Sequence, residues 1–198
     1  MTHVVVHLTS LPRHTRGASR ALAHTVLAQR EGRPVRITAD EFGPPRAQDS
    51  RTSFSISHDR TVLVVAVSDV ACGVDVEDAA EHELAEVAYR FCSAAELTGG
   101  LPARMWWTAK ESAAKAMGRG LRAGLRSISF AHNPVLRWST VDHRERRTDL
   151  LTRVVELNGR HFGLTVRAPR PPSVSAQVWK PLQDGESWRF VPEGRLDG

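Results

Sequence analysis

The chain has 198 residues, 41% of them apolar and 25% charged, a balance that fills one sizeable core or two small halves sharing an interface but excludes two large independent domains. No tract is long and apolar enough to span a bilayer, and His7 interrupts the brief apolar run of MTHVVVHLTSLPRH before it could serve as a signal sequence, so a soluble protein without a leader is expected. The formal charge of +5 favours an anionic partner, which could be nucleic acid, a phosphorylated small molecule or an acidic protein.

In chain order, Val4 to Leu8 reads as a strand and roughly Ser19 to Arg30 as a helix, with Gly32 and Pro34 marking its exit. ITADEFGPPRAQDSRT is a turn-rich connection. TSFSISH and TVLVVAVS read as strands, the second apolar enough to be central. DVACG turns into GVDVE, where period two puts Val74 and Val76 on one face and Asp75 and Glu77 on the other. His82 to Phe91 has a helical pattern. Ser93 and Glu96 form a capping box for a short helix ended by Gly99 and Gly100, and Arg104 to Met117 is a helix stopped by Gly118. SISFA, VLRWSTV, a hairpin turned at Asn158-Gly159, and VSAQVWK complete a strand-rich remainder. Residues after Pro181 read as a loosely held tail. Cys72 and Cys92 match neither a CxxC pair nor a zinc framework, which predicts buried thiols in a reducing cytosol.

Alternate strand residues lie about 6.6 Å apart, so Asp75 and Glu77 can lean toward one hard cation, which needs a third oxygen ligand. An exposed strand face would look the same. In MWWTAKESAAK, Glu111 and Lys115 stand four residues apart on the helix, the spacing of an ordinary surface ion pair. Trp106 and Trp107 argue against a purely solvated helix, because at least one ring needs burial. A half-buried helix can present Glu111 as the third ligand, flanked by Lys110 and Lys115 as phosphate contacts. These are two of only three lysines in a chain with 27 Lys plus Arg. Ser57 and His58, at the end of FSISH, offer a hydroxyl and an imidazole to a phosphate, although a lone histidine is commonly structural.

FSISH, GVDVE, RFCSAAE and WWTAKESAAKAMGRGL occur in that order between Phe54 and Leu121. The series resembles the Sfp-type 4′-phosphopantetheinyl transferases, whose pattern is F-[NS]-[IL]-S-H, G-[IV]-D-[IV]-E, R-F-[FC]-S-x-x-E and W-x-x-K-E-[SA]-x-x-K-x-x-G-x-G-L. The resemblance implies an enzyme that moves the phosphopantetheine arm of coenzyme A onto a serine of an acyl or peptidyl carrier protein, releasing 3′,5′-ADP, in fatty acid, polyketide or nonribosomal peptide biosynthesis. It implies Mg2+ held by Asp75, Glu77 and Glu111, with Glu111 or a metal-bound water taking the serine proton and Lys115 assisting the departing phosphate. His58, Lys110 and Lys115 match coenzyme A and phosphate contacts, with Ser57 beside them. Arg20 is the best positional candidate for the 3′-phosphate grip and Arg13 and Arg16 are looser ones. Arg46 is the replacement candidate where family members carry Gly-Lys-Pro and this chain has Pro44.

The implied fold is α+β, a pseudo-twofold pair of halves, each a small antiparallel sheet packed with a long helix. The halves divide near Ser68 to Gly73: residues 1–70 for nucleotide contacts, 71–180 for the metal site and catalytic helix, and 181–198 as the tail. A cytoplasmic monomer is expected, with no nucleic acid or membrane partner. A basic nucleic-acid-binding module and a metal-dependent phosphohydrolase are the rival readings. The acidic residues inside the arginine cluster DHRERRTD, which reads as a solvated loop, weaken the first.

Overall fold

The computed structural model describes residues 2–12, 16–39, 44–78, 83–185 and 187–196. Its first half runs from β1 (His3–Ser10) into α1 (Arg16–Glu31), through a small ribbon of β2 (Ile37–Thr38) and β3 (Arg46–Ala47), and back along β4 (Ser53–His58) and β5 (Val62–Ser68). The second half runs from β6 (Cys72–Asp78) through the short helices α2 (Glu83–Glu86) and α3 (Ala94–Thr98) into the long helix α4 (Ala103–Ala116). It returns along β7 (Ile128–Phe130), β8 (Ser139–His143), β9 (Arg146–Leu157) and β10 (Arg160–Arg167). Two closing strands, β11 (Ser173–Asp184) and β12 (Ser187–Leu196), rejoin the first sheet, giving strand orders β12-β11-β1-β5-β4 and β6-β10-β9-β8-β7.

Both halves follow one path. The opening strand pairs antiparallel with the last strand of its half, β1 with β5 and β6 with β10, and that strand pairs with the one before it. Each sheet carries one long helix, the α+β arrangement expected. Among the described pairings, β1 with β11 is the parallel one, from His3 opposite Ser173 to Leu8 opposite Val178.

Period-two patterning makes the layers. On β5, Leu63, Val65 and Val67 pack with Leu22, Val26 and Leu27 of α1, while Val64 and Ala66 point the other way and meet Val74, Val76 and Val166 of the second sheet. Trp106, Ala113 and Ala114 of α4 pack with Ile128, Val141 and Leu150 on the outer face of that sheet. The order is therefore helix, sheet, sheet, helix. Each fully buried valine or leucine contributes about 1.5–3 kcal/mol, so the valine layer binds the halves into one body.

The halves also meet edge to edge, because β4 and β6 are terminal strands of their sheets. Alternate serines of β4 face the backbone of β6: Ser53, Ser55 and Ser57 accept hydrogen bonds from the N–H groups of Cys72 (3.3 Å), Val74 (3.0 Å) and Val76 (3.4 Å). Three donors that an edge strand would leave to solvent are thereby satisfied by side chains.

Several expectations hold locally. The Ser93–Glu96 capping box is present in both directions, and Asn158 and Gly159 turn the β9–β10 hairpin with positive φ at both positions. Others need correction. The helix expected from His82 is broken: α2 stops at Glu86 and a 3-10 turn covers Ala88–Arg90, with His82 outside the described residues. The strand expected at VLRWSTV starts only at Ser139, and Leu136 is exposed. DHRERRTD is a tight hairpin rather than a loop, turned at Arg144 and Glu145 with positive φ. The expected tail after Pro181 is paired strand, and the segment 173–180 assigned to the second half belongs to the first sheet. Pro181 is tolerated because β11 has run past its last pairing with β1, at Val178, and has only β12 beside it there. No helix among the described residues is long and apolar enough to cross a membrane.

His7 of β1 is buried, and its Nδ1 accepts the indole N–H of Trp179 on β11 at 2.9 Å. Burial, with the Arg30 charge adding to it, lowers its pKa from 6.5 to about 4. A histidine depressed on folding contributes stability above its unfolded pKa and loses it as pH falls toward the folded value. Wild-type protein is therefore expected to lose roughly 3 kcal/mol between pH 6.5 and 4 from this group. In urea titrations across that window, His7→Gln, which keeps an acceptor for Trp179 but no titration, should show a correspondingly shallower loss.

Candidate active site

Helix α4 lies directly on the backbone of β6 and β10. A Cβ on Gly73 would stand 2.0 Å from the Ser112 carbonyl oxygen, and one on Gly163 would stand 2.6 Å from that of Thr108. Gly163 is the cross-strand partner of Asp75, and Gly73 precedes Asp75 on the same strand face. The two glycines thus let the helix settle close enough to bring its side chains onto Asp75.

From Arg104 to Ala116 every residue is buried except Trp107, Glu111 and Lys115. These stand at i, i+4 and i+8, a single stripe of the helix, and the stripe faces the carboxylate side of β6. Lys115 Nζ donates to Asp75 Oδ1 at 2.7 Å, to Ser57 Oγ at 3.0 Å and to the Val74 carbonyl at 3.2 Å, and lies 3.4 Å from Glu111 Oε2. Ser57 Oγ donates in turn to Asp75 Oδ1 at 2.7 Å. Trp107 Nε1 donates to Glu77 Oε1 at 3.0 Å, and Arg104 Nη1 lies 3.5 Å from Glu77 Oε2.

The cluster is short of positive charge. Burial, then repulsion from Asp75, raises both Glu77 and Glu111 from 4.5 to about 7. A carboxyl at that value exchanges its proton near neutrality, which suits a general base. Burial alone would lower Lys115, yet Asp75 and Glu111 hold it above its ordinary value, so it stays an ammonium.

Lys115 also lines a cavity of about 980 Å³ between the halves. Arg16 and Arg20 from α1, His58 from β4, and Arg119 and Arg122 from beyond α4 supply its basic groups, with Phe54, Ile56 and Ile37 among its apolar walls. A basic cavity that opens onto a carboxylate cluster through one lysine has the charge to hold an anionic group such as a phosphate ester. Residues 71–165, just under half of the chain, match the family model of the 4′-phosphopantetheinyl transferase superfamily. This stretch is a 4′-phosphopantetheinyl transferase superfamily domain. No curated protein matches the chain.

The superfamily typically uses coenzyme A and a divalent metal. Among the described residues no three His, Cys, Asp or Glu side chains stand ready-made for an ion: Asp75, Glu77 and Glu111 share one cluster, but an ammonium rests on Asp75 and N–H donors rest on Glu77. The donor set nevertheless fits a hard dication. Asp75 Oδ2 is buried without a hydrogen-bond partner, and burial followed by the Asp75 charge raises Glu77 and Glu111, so added cationic charge would suit the cluster.

Of the other expected site residues, Arg16, Arg20 and His58 line the cavity, whereas Ser57 sits one layer in, on Asp75. Arg46, on β3, is exposed and does not line it, and Arg13 lies outside the described residues. Lys110 is a correction. It is fully buried, donating to Glu96 Oε2 at 2.8 Å and to the carbonyls of Phe91, Ile128 and Leu125. Five residues along a helix turn the side chain about 140° away, so Lys110 cannot share the face of Lys115. Arg119 and Arg122 went unnoticed in sequence. Their signal was the GRGLR run directly after the helix stop, which returns the chain to the mouth of the cavity.

Proposed function

We propose that the protein transfers the 4′-phosphopantetheine arm of coenzyme A to a serine of an acyl or peptidyl carrier protein. The observation that carries the reading is the double position of Lys115, which hydrogen-bonds Asp75 and lines the basic cavity. In this reading the first half supplies nucleotide and phosphate contacts through Arg16, Arg20 and His58. The second half supplies Asp75, Glu77, Glu111 and Lys115.

The carrier serine hydroxyl attacks the β-phosphorus of coenzyme A, and its proton passes to the Glu111 carboxylate, which stands on the accessible stripe of α4 beside Lys115. The bond from the β-phosphorus to the bridging oxygen breaks, and 3′,5′-ADP departs with its new negative charge toward Lys115 Nζ. Asp75, Glu77 and Glu111 would hold Mg2+, which when bound neutralises charge on the pyrophosphate. Ser57 keeps Asp75 oriented by its hydrogen bond. Both halves come from one chain, which supports a monomer, and two buried unpaired cysteines favour a reducing compartment such as the cytosol.

Incubation with coenzyme A, Mg2+ and a panel of apo carrier proteins, followed by mass measurement of the carriers, tests the reading. At least one carrier is expected to gain the mass of one phosphopantetheine arm. No gain on any carrier, with coenzyme A hydrolysed in their absence, would replace transfer by phosphohydrolysis.

A further inference from the structure

Glu77 is the more exposed of the two β6 carboxylates in the cluster. It lies near the end of β6, only partly buried, and belongs to an edge strand. Its cross-strand partner His161 turns its Nε2 to Glu156, at 3.6 Å. What fixes Glu77 comes from α4. The Trp107 indole N–H donates to one carboxylate oxygen at 3.0 Å, and the guanidinium of buried Arg104, one turn earlier, lies 3.5 Å from the other. The indole is itself fixed, since its ring stands edge-on to Phe91 with centroids 5.1 Å apart and planes at 77°.

We propose that Trp107, assisted by Arg104, is a positioning residue that holds Glu77 toward Asp75 and Glu111, so that the three carboxylates bind a divalent cation together. The inference rests on the metal reading of that site and deepens it. Trp107 has no metal-ligating atom, since its indole nitrogen is a donor only. It acts through Glu77, as the outer partners of metal ligands do, and losing such a partner typically costs about 10- to 100-fold in metal affinity. The pairing also explains the position of this tryptophan. Trp106 buries its ring and sends its N–H to the Glu96 carbonyl, whereas Trp107 opens the accessible stripe that continues with Glu111 and Lys115.

The test is Mn2+ binding to the whole protein without coenzyme A, read from the electron paramagnetic resonance signal of free Mn2+. Trp107→Phe keeps a smaller aromatic ring beside Phe91 and removes the N–H donor. Its Mn2+ dissociation constant is expected to rise about tenfold or more, with half-maximal transfer moving to higher Mn2+ in parallel and kcat at saturating Mn2+ within about twofold of wild type. Glu77→Gln and the double variant should bind Mn2+ equally weakly, because Trp107 acts only through Glu77; a ring that merely supports the fold would give additive losses instead. Wild-type affinity in Trp107→Phe, or additive losses in the double variant, would overturn the positioning role alone. Wild-type protein that transfers the arm but takes up no Mn2+ would overturn the metal reading and this inference with it.

Discussion

Asp75→Asn is expected to abolish transfer while leaving a folded protein. Asp75 is 2% exposed and stands at the centre of the site: Ser57 and Lys115 converge on Oδ1, and Oδ2 is buried with no hydrogen-bond partner. Asparagine keeps the shape between Gly73 and Gly163 but removes the charge and one acceptor oxygen. Turnover should fall roughly 10³-fold, the scale seen when a group that stabilises transferred charge is lost. Removing the charge also relieves the repulsion that raises Glu77 and Glu111, which offsets part of the loss of the Lys115 contact. Thermal melts should therefore remain cooperative, and Mg2+, which is expected to stabilise wild type, should not stabilise the variant. Retained turnover in Asp75→Asn would remove the basis of the proposed chemistry.

The second large effect belongs to Lys110, and it is one of stability. Lys110→Met keeps the length of the stem and deletes an ammonium that serves Glu96 and three backbone carbonyls. Breaking a buried pair from one side costs about 3–5 kcal/mol, because the remaining charge is stranded. Urea denaturation should show that loss, and Lys110→Met with Glu96→Gln together should lose less than the sum of the two single variants. Coenzyme A affinity per folded molecule should not change. A large drop in that affinity with unchanged stability would return Lys110 to the phosphate site.

The legible parts of the chain were those with local signals. Alternating valines around Asp75 and Glu77 gave the face of β6, alanines and Gly118 gave α4, and Ser93 with Glu96 gave the cap of α3. The four quoted stretches led to the superfamily that residues 71–165 match. What sequence could not supply was rotation and distance. Lys110 and Lys115 look like a pair when read along the chain and separate once helical turns are counted. Serines at every second position of SFSIS were visible, but their partners are backbone N–H groups 19 residues away, which no local pattern announces. VSAQVWK was legible as a strand, but its run past Pro181 and β12 were not, because Pro181 breaks the strand pattern. Its place in the first sheet was hidden because the partner of Ser173 is His3.

That last pairing has a consequence for synthesis. The central strand of the first sheet borders β5 on one side and β11 on the other, so the nascent N-terminal half leaves the ribosome with an open hydrogen-bonding edge and an unfinished hydrophobic layer. It has to wait for residues 173–178 before that edge can close. The second half, contiguous from Cys72 to Arg167, faces no such delay. During translation the part carrying the carboxylates can thus mature first, and the wall that completes the cavity is the last to become permanent.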